Sequence, residues 1–192
     1  MKIGILAGSF NPVHIGHLLI ANHFAECGLY DKIWFLITPQ NPLKNKNDLM
    51  SKELRLKLLK KSIQNCNKFE ICTIEWDMPS PFYTVNTLLK LRMDYPQNSF
   101  ELIIGSDNFA FFHSWKDHRT ILENFKIFIY PRSDYGVVYF THPNIFFCEN
   151  VPKIGISSTF VRESLANGKD ISLYIPKLIH KNVINNKFVA IG

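Results

Sequence analysis

Six short apolar runs with almost no polar alternation recur along the chain: "KIGILA" (2–7), "KIWFLI" (32–37), "FEICTIEW" (69–76), "FELIIG" (100–105), "FKIFIYP" (125–131) and "IFFCE" (145–149). A strand that is apolar on both sides needs cover on both faces, and a parallel sheet held between helix layers supplies it. Segments of helical spacing lie between the runs over 15–28, 51–65 and 84–95, and after them over 157–168 and 171–185. Residues 106–124 read as mostly helical, with a break around Ser114 and Trp115. Ser51 is the expected N-cap of the second helix, and Gly28 and Gly168 stand where glycine commonly closes a helix. The pattern predicts an α/β fold, a Rossmann-like doubly wound parallel sheet with helices on both faces and strand order 3-2-1-4-5. It is expected to form a single domain over 1–192, with a C-terminal helical segment from about 157.

With 46% hydrophobic and 20% charged residues among 192, the chain can bury a real core and lacks the composition of a disordered protein. No apolar run approaches membrane-spanning length, and the first strand begins at residue 2 or 3, so neither a membrane segment nor a targeting leader is expected. Cys27, Cys66, Cys72 and Cys148 show no metal-ligand spacing and read as free thiols of a cytoplasmic protein. A net charge of +6 and a pI near 9.1 favour an anionic partner. The Lys-rich pieces "LKNKN" and "KLLKK" also suit solvated loops and helix faces.

In an open parallel sheet, ligands sit beyond the carboxyl ends of the strands where the strand order reverses, here between the first and fourth runs. "GSFNP" (8–12) follows the first and "GSD" (105–107) the fourth. Gly8 allows close backbone approach, and the N–H groups at the start of the next helix form an anion site. His14 and His17 lie one helical turn apart, so both can face that site. Two imidazoles at the positive end of a helix suit phosphate oxygens better than a metal cation. Taken singly, His14 equally suits a surface or capping histidine, "SSTFVR" (157–162) a capped helix with a solvent arginine, and Trp115 a core position. The stretch matches neither the GxGxxG fingerprint nor a P-loop.

"GSFNPVHIGH" (8–17) resembles the (H/T)xGH signature of the nucleotidyltransferase superfamily, and "ISSTFVRE" (156–163) resembles its ISSTxxR partner. "TPQNPLK", "FYTVNTL", "LIIGSDNF", "SWKD" and "YPR" fall between them in the order seen in bacterial nicotinate mononucleotide adenylyltransferases, so the likeness covers essentially the whole chain. It implies transfer of the adenylyl group of ATP to nicotinate mononucleotide, releasing pyrophosphate and forming the dinucleotide precursor of NAD without a covalent enzyme intermediate. The implied catalytic residues are His14 and His17, on the ATP phosphates, and Arg162, on the leaving phosphates. ATP would further meet Gly8, Ser9, Phe10, Asn11, Gly105, Ser106, Asp107 (on a ribose hydroxyl), Arg132, Ser157 and Ser158. The acceptor would meet Lys44, Thr84, Val85, Trp115 (against the pyridine ring) and Lys116. Mg²⁺ is expected to travel with ATP and pyrophosphate rather than in a protein-built metal site. Neither nucleic acid nor membrane is an expected partner, and a homo-oligomer is left open. Three departures touch the acceptor side and the phosphate loop: Asn11 where many relatives carry Asp, Leu43 where His is usual before Lys44, and Asn86 where Asp is frequent.

His14-Ile15-Gly16-His17 also spells the HIGH motif of class I aminoacyl-tRNA synthetases, and "LMSKE" (49–53) echoes their second signature. That signature belongs far downstream, and 192 residues leave no room for an anticodon-binding domain. The same motifs would also suit a related adenylyltransferase with a nicotinamide mononucleotide or phosphopantetheine acceptor, or a catalytically silent nucleotide-binding module. An RNA-binding module would want exposed aromatics interleaved with arginine, whereas these aromatics sit in apolar strands.

Overall fold

A computed structural model describes residues 1–40, 49–132 and 141–185. The apolar runs form β1 (Lys2–Gly8), β2 (Lys32–Ile37), β3 (Phe69–Cys72), β4 (Ser99–Gly105), β5 (Ile127–Tyr130) and β6 (Ile145–Phe147). Between and after them come α1 (Ile15–Glu26), α2 (Lys52–Ile63), α3 (Thr84–Asp94), α4 (Ser106–Phe109), α5 (His118–Asn124), α6 (Ser158–Ala166) and α7 (His180–Asn185). The strands make one sheet in the order β3-β2-β1-β4-β5-β6, with every neighbouring pair parallel. The expected order 3-2-1-4-5 is present, with β6 added beyond β5.

Alternation along each strand divides the core between the two faces of the sheet. Ile33, Phe35 and Ile37 of β2 pack on one side with Phe24 of α1, Leu58 and Leu59 of α2, and Val161 of α6. Trp34 and Leu36 pack on the other with Val85, Leu88 and Leu91 of α3 and Ile121 of α5. Both faces are therefore apolar, which is why the strands read as unbroken hydrophobic runs.

Helix ends follow their local chemistry. Ser51 Oγ accepts the Leu54 N–H (3.2 Å) at the start of α2, and Gly28 and Gly168 adopt positive φ beyond α1 and α6. Two expected segments, 69–76 and 171–185, prove shorter than the periodicity suggested. "FEICTIEW" is strand only to Cys72, because the Trp76 N–H turns back to Thr73 O (2.8 Å) and opens a 3-10 turn over Ile74–Asp77. Residues 106–124 hold α4, a 3-10 turn at Phe112–Ser114 and α5, with the expected break falling where Trp115 is extended and Asp117 is left-handed. In 171–185 helical turns begin only at Lys177, directly after Pro176.

Candidate active site

The order reverses between β1 and β4, and a cleft of about 190 Å³ opens there. Gly8 and Ser9 line it after β1, Thr38 after β2, Thr84 at the start of α3, Gly105 after β4, and Trp115 and Lys116 before α5. A narrower crevice lined by Gly16, His17, Pro131, Arg132 and Ile156 shares Leu6 and Tyr130 with it. The two form adjoining halves of one site.

His14 is the N-cap of α1, with extended backbone and 1% exposure. Its ring stacks on His17, centroids 3.6 Å apart and planes 27° apart. The His14 N–H donates to His17 Nδ1 (3.2 Å). That nitrogen is therefore an acceptor, and in neutral His17 the proton sits on Nε2. Phe10, 1% exposed and at φ +46, sets its ring edge-on to His17 at 4.9 Å, so its side chain belongs to the wall beneath the histidines. Gly8 makes room for that ring: a Cβ there would lie 3.2 Å from Phe10 Cζ.

Burial, with the Arg132 charge second, pulls the His14 pKa from 6.5 to about 3. The unfolded chain takes up this proton below about 6.5 and the folded chain does not until about 3. Stability from the neutral, buried ring is thus fully present above 6.5 and is lost as pH falls through that window. Replacing His14 with Asn, a good N-cap, should flatten this part of the Tm-versus-pH curve. Equal acid sensitivity in the two proteins would contradict the assignment.

Gly16 was not among the expected site residues, yet it shapes the site. A Cβ there would stand 2.9 Å from His14 Nδ1 and 3.2 Å from Ile154 Cγ2. Gly16→Ala is expected to push the His14 ring aside and lower turnover by about 10- to 10²-fold, the scale of an ångström-level misplacement. Cooperative melting should persist, and wild-type turnover in that variant would show that the ring tolerates the shift.

The distant C-terminal motif docks on the same loop. Ser158 Oγ donates to Pro12 O (2.9 Å), and Arg162 Nη1 donates to Asn11 O (2.9 Å) across 151 residues of sequence. Ser157 caps α6 by accepting the Phe160 N–H (3.1 Å), a bond that does not use its own hydroxyl proton, whereas Ser158 uses its proton on Pro12. Asn11 is buried, and its Oδ1 accepts the Met50 N–H (3.0 Å).

Beyond β4, Ser106 Oγ accepts the Arg132 N–H (2.9 Å), and Arg132 Nε lies 3.7 Å from Asp107 Oδ2. Gly105 leaves room for this pair: a Cβ there would run into Asp107 Oδ1 and come within 3.0 Å of Arg132 Cγ, so these side chains would have to shift. On the cleft side, Val85 is core and Thr84 opens α3, whose first N–H groups have no helical partner. Trp115 packs on Phe112 at 5.3 Å and passes its own N–H to Phe112 O (3.0 Å). Lys44 and Leu43 lie outside the described residues.

Two further polar residues at the site were not anticipated. Glu75 is 3% exposed, lines the cleft and accepts the Thr87 Oγ1 hydrogen bond (2.7 Å), and burial raises its pKa. Arg55 is 1% exposed on α2. Its spacing with Leu58, Leu59 and Ile63 put it on the apolar stripe of that helix, a signal that was present in the sequence.

A family profile described as cytidylyltransferase-like matches residues 5–164. A protein of Azobacteroides pseudotrichonymphae named "Probable nicotinate-nucleotide adenylyltransferase" is 65% identical, over 98% of this chain and 99% of its own length. One of the same name from Bacteroides fragilis is 43% identical over 95% of this chain and 91% of its own. Among solved structures, the Plasmodium falciparum nicotinic acid mononucleotide adenylyltransferase complexed with NaAD superposes with a TM-score of 0.78 at 22% identity, covering 97% of each chain. A likeness at that identity speaks to the fold, whereas the sequence relatives and the profile define kinship. The chain belongs to the cytidylyltransferase-like family and, within it, to the nicotinate-nucleotide adenylyltransferases.

Proposed function

We propose that the protein transfers the adenylyl group of ATP to nicotinate mononucleotide, forming nicotinate adenine dinucleotide and pyrophosphate. The observation that carries the reading is the union of both motifs on one loop: His14 and His17 at its end, and Arg162 bonded to Asn11 within it. An acceptor cleft adjoins them.

The reaction is an in-line displacement. A phosphate oxygen of the acceptor forms the new bond to the α-phosphorus, the bond to the bridging oxygen breaks, and its electron pair leaves with pyrophosphate. Such a transfer needs alignment and charge stabilisation more than a protein nucleophile. His17 Nε2–H is the donor to an α-phosphate oxygen as charge builds there. His14, neutral at working pH, shapes and backs His17. Arg162, with Nη1 on Asn11 O and Nη2 in a longer bond to Thr159 Oγ1 (3.4 Å), presents the remaining donors of its fork to the leaving phosphates, with Ser157 and the α6 N-terminus beside it. Gly8, Ser9, Gly105 and Ser106 offer backbone at the strand ends, and Asp107 and Arg132 flank the nucleoside. In the cleft, Trp115 stacks on the pyridine ring, while first-turn N–H groups of α3 at Thr84 and Val85 and the Lys116 N–H meet its carboxylate. Lys44 is assigned to the acceptor on the family likeness.

Magnesium belongs to this reading as an ion that neutralises phosphate charge. Among the described residues no group of three or more His, Cys, Asp or Glu could hold a metal. The ion is assigned to phosphate oxygens and water. No described helix is long and apolar enough to cross a membrane. The described cysteines are free thiols, which supports a cytoplasmic setting, and the enzyme is taken to work as a single domain without nucleic acid.

The test offers nicotinate mononucleotide, nicotinamide mononucleotide and phosphopantetheine in parallel and follows pyrophosphate release from ATP. Release with nicotinate mononucleotide well above the other two is expected. Release only with phosphopantetheine would overturn the acceptor assignment.

A further inference from the structure

We propose that Arg55 is a positioning residue for adenylyl transfer, locking the phosphate-side loop at Ser9 and the acceptor-side loop at Thr38 and Pro39 into one frame. The inference rests on the reaction proposed above.

Arg55 Nη1 donates to Ser9 O (2.8 Å) and to Thr38 O (2.7 Å), Nη2 to Pro39 O (2.7 Å), and Nε to Met50 O (3.1 Å). One guanidinium thus satisfies four backbone carbonyls from three separate segments. Ser9 and Thr38 both line the cleft, and the Thr38 N–H bonds to Gly8 O (3.1 Å), so the clamp joins the loops where they already touch. Both segments leave the carboxyl ends of adjacent strands, where the ladder no longer pairs their carbonyls.

An apolar side chain at this core position would leave those four carbonyls without a donor. Taking a cation out of water costs stability; here the four carbonyl bonds and the nearby Glu53 charge offset that cost, and no described carboxylate forms an ion pair with Arg55. Burial lowers its pKa only to about 10, so it stays protonated at neutral pH. The planar fork with its five donors matches the spread of carbonyls, which a point-like ammonium with three donors cannot. What the arrangement secures is the relative placement of two substrate loops.

The test compares wild type with Arg55→Lys and Arg55→Gln. Turnover at saturating ATP and nicotinate mononucleotide is expressed per folded molecule, from a thermal melt, well below each variant's Tm. The expected result is a kcat at least about tenfold lower in both variants, with Lys rescuing no more than a small part. A kcat per folded molecule within twofold of wild type, whatever the change in Tm, would overturn the proposal and leave Arg55 a stabilising residue. Failure of both variants to fold would overturn it in the same way. If wild type itself forms no dinucleotide, the reaction assignment fails and the inference goes with it, a result distinguishable at once from the other two.

Discussion

Replacing His17 with alanine is expected to leave the fold intact and to cut turnover by about 10²–10³-fold, the usual cost of removing one donor aimed at transition-state charge. The geometry sets both halves of this expectation. His17 Nδ1 is engaged by the His14 N–H, so the proton on its other ring nitrogen is fixed in place before substrate binds. Its loss leaves the His14 N–H without that acceptor, a capping defect worth about 0.5–2 kcal/mol, small beside the stability of a domain. The loss should appear mainly in kcat, because a donor that acts as charge develops contributes little to ground-state binding. Turnover within a few-fold of wild type, measured as pyrophosphate release, would remove His17 from the catalytic constellation.

The second large effect concerns the acceptor's single distinguishing group. Nicotinate and nicotinamide mononucleotides differ in a carboxylate against a carboxamide, and kcat/KM for the acid form should exceed that for the amide by at least about 10²-fold. The proposed donors are the first-turn N–H groups of α3, of which Thr84 lines the cleft, and the N–H of Lys116, which also lines it; that of Trp115 is engaged by Phe112 O. Donors facing the amide's own NH₂ would leave buried groups unpaired, which is how hydrogen-bonding pockets discriminate strongly. Glu75 would repel a carboxylate if charged; burial, the larger effect, raises its pKa and lessens that repulsion, while the hydrogen bond it accepts from Thr87 works the other way by favouring the charged form. Asn86, one of the family departures, is exposed on α3 and is not among the residues lining the cleft. Parallel kinetics with the two mononucleotides provide the check, and equal use of both would rule out acid selectivity.

The fold was legible because both faces of every central strand are buried, so the hydrophobic runs carried the β pattern and the intervening periodicity the helices. Where a single local contact decides, the pattern failed. "FEICTIEW" looked like one strand because Ile74 and Trp76 are apolar, but Glu75 turns inward to Thr87 and the chain curls at Thr73. At the site, the pairing of the two end motifs was readable, since each has a fixed spacing. The partners of each residue were not. Nothing in the sequence says that Asn11 Oδ1 is taken by the Met50 N–H, or that Ser158 turns its proton to Pro12. Gly16 and Arg55 were visible as letters without roles. One matters for the Cβ it lacks beside His14, the other for a cation on a helix face whose neighbours are all core.

The most direct test of the account follows the α-phosphorus. With ATP labelled at that position, nicotinate mononucleotide and Mg²⁺, the label should move into nicotinate adenine dinucleotide, with one pyrophosphate released per dinucleotide and no label retained on the protein. Pyrophosphate release that does not require the acceptor, or label trapped on the chain before dinucleotide appears, would contradict direct adenylyl transfer at this site.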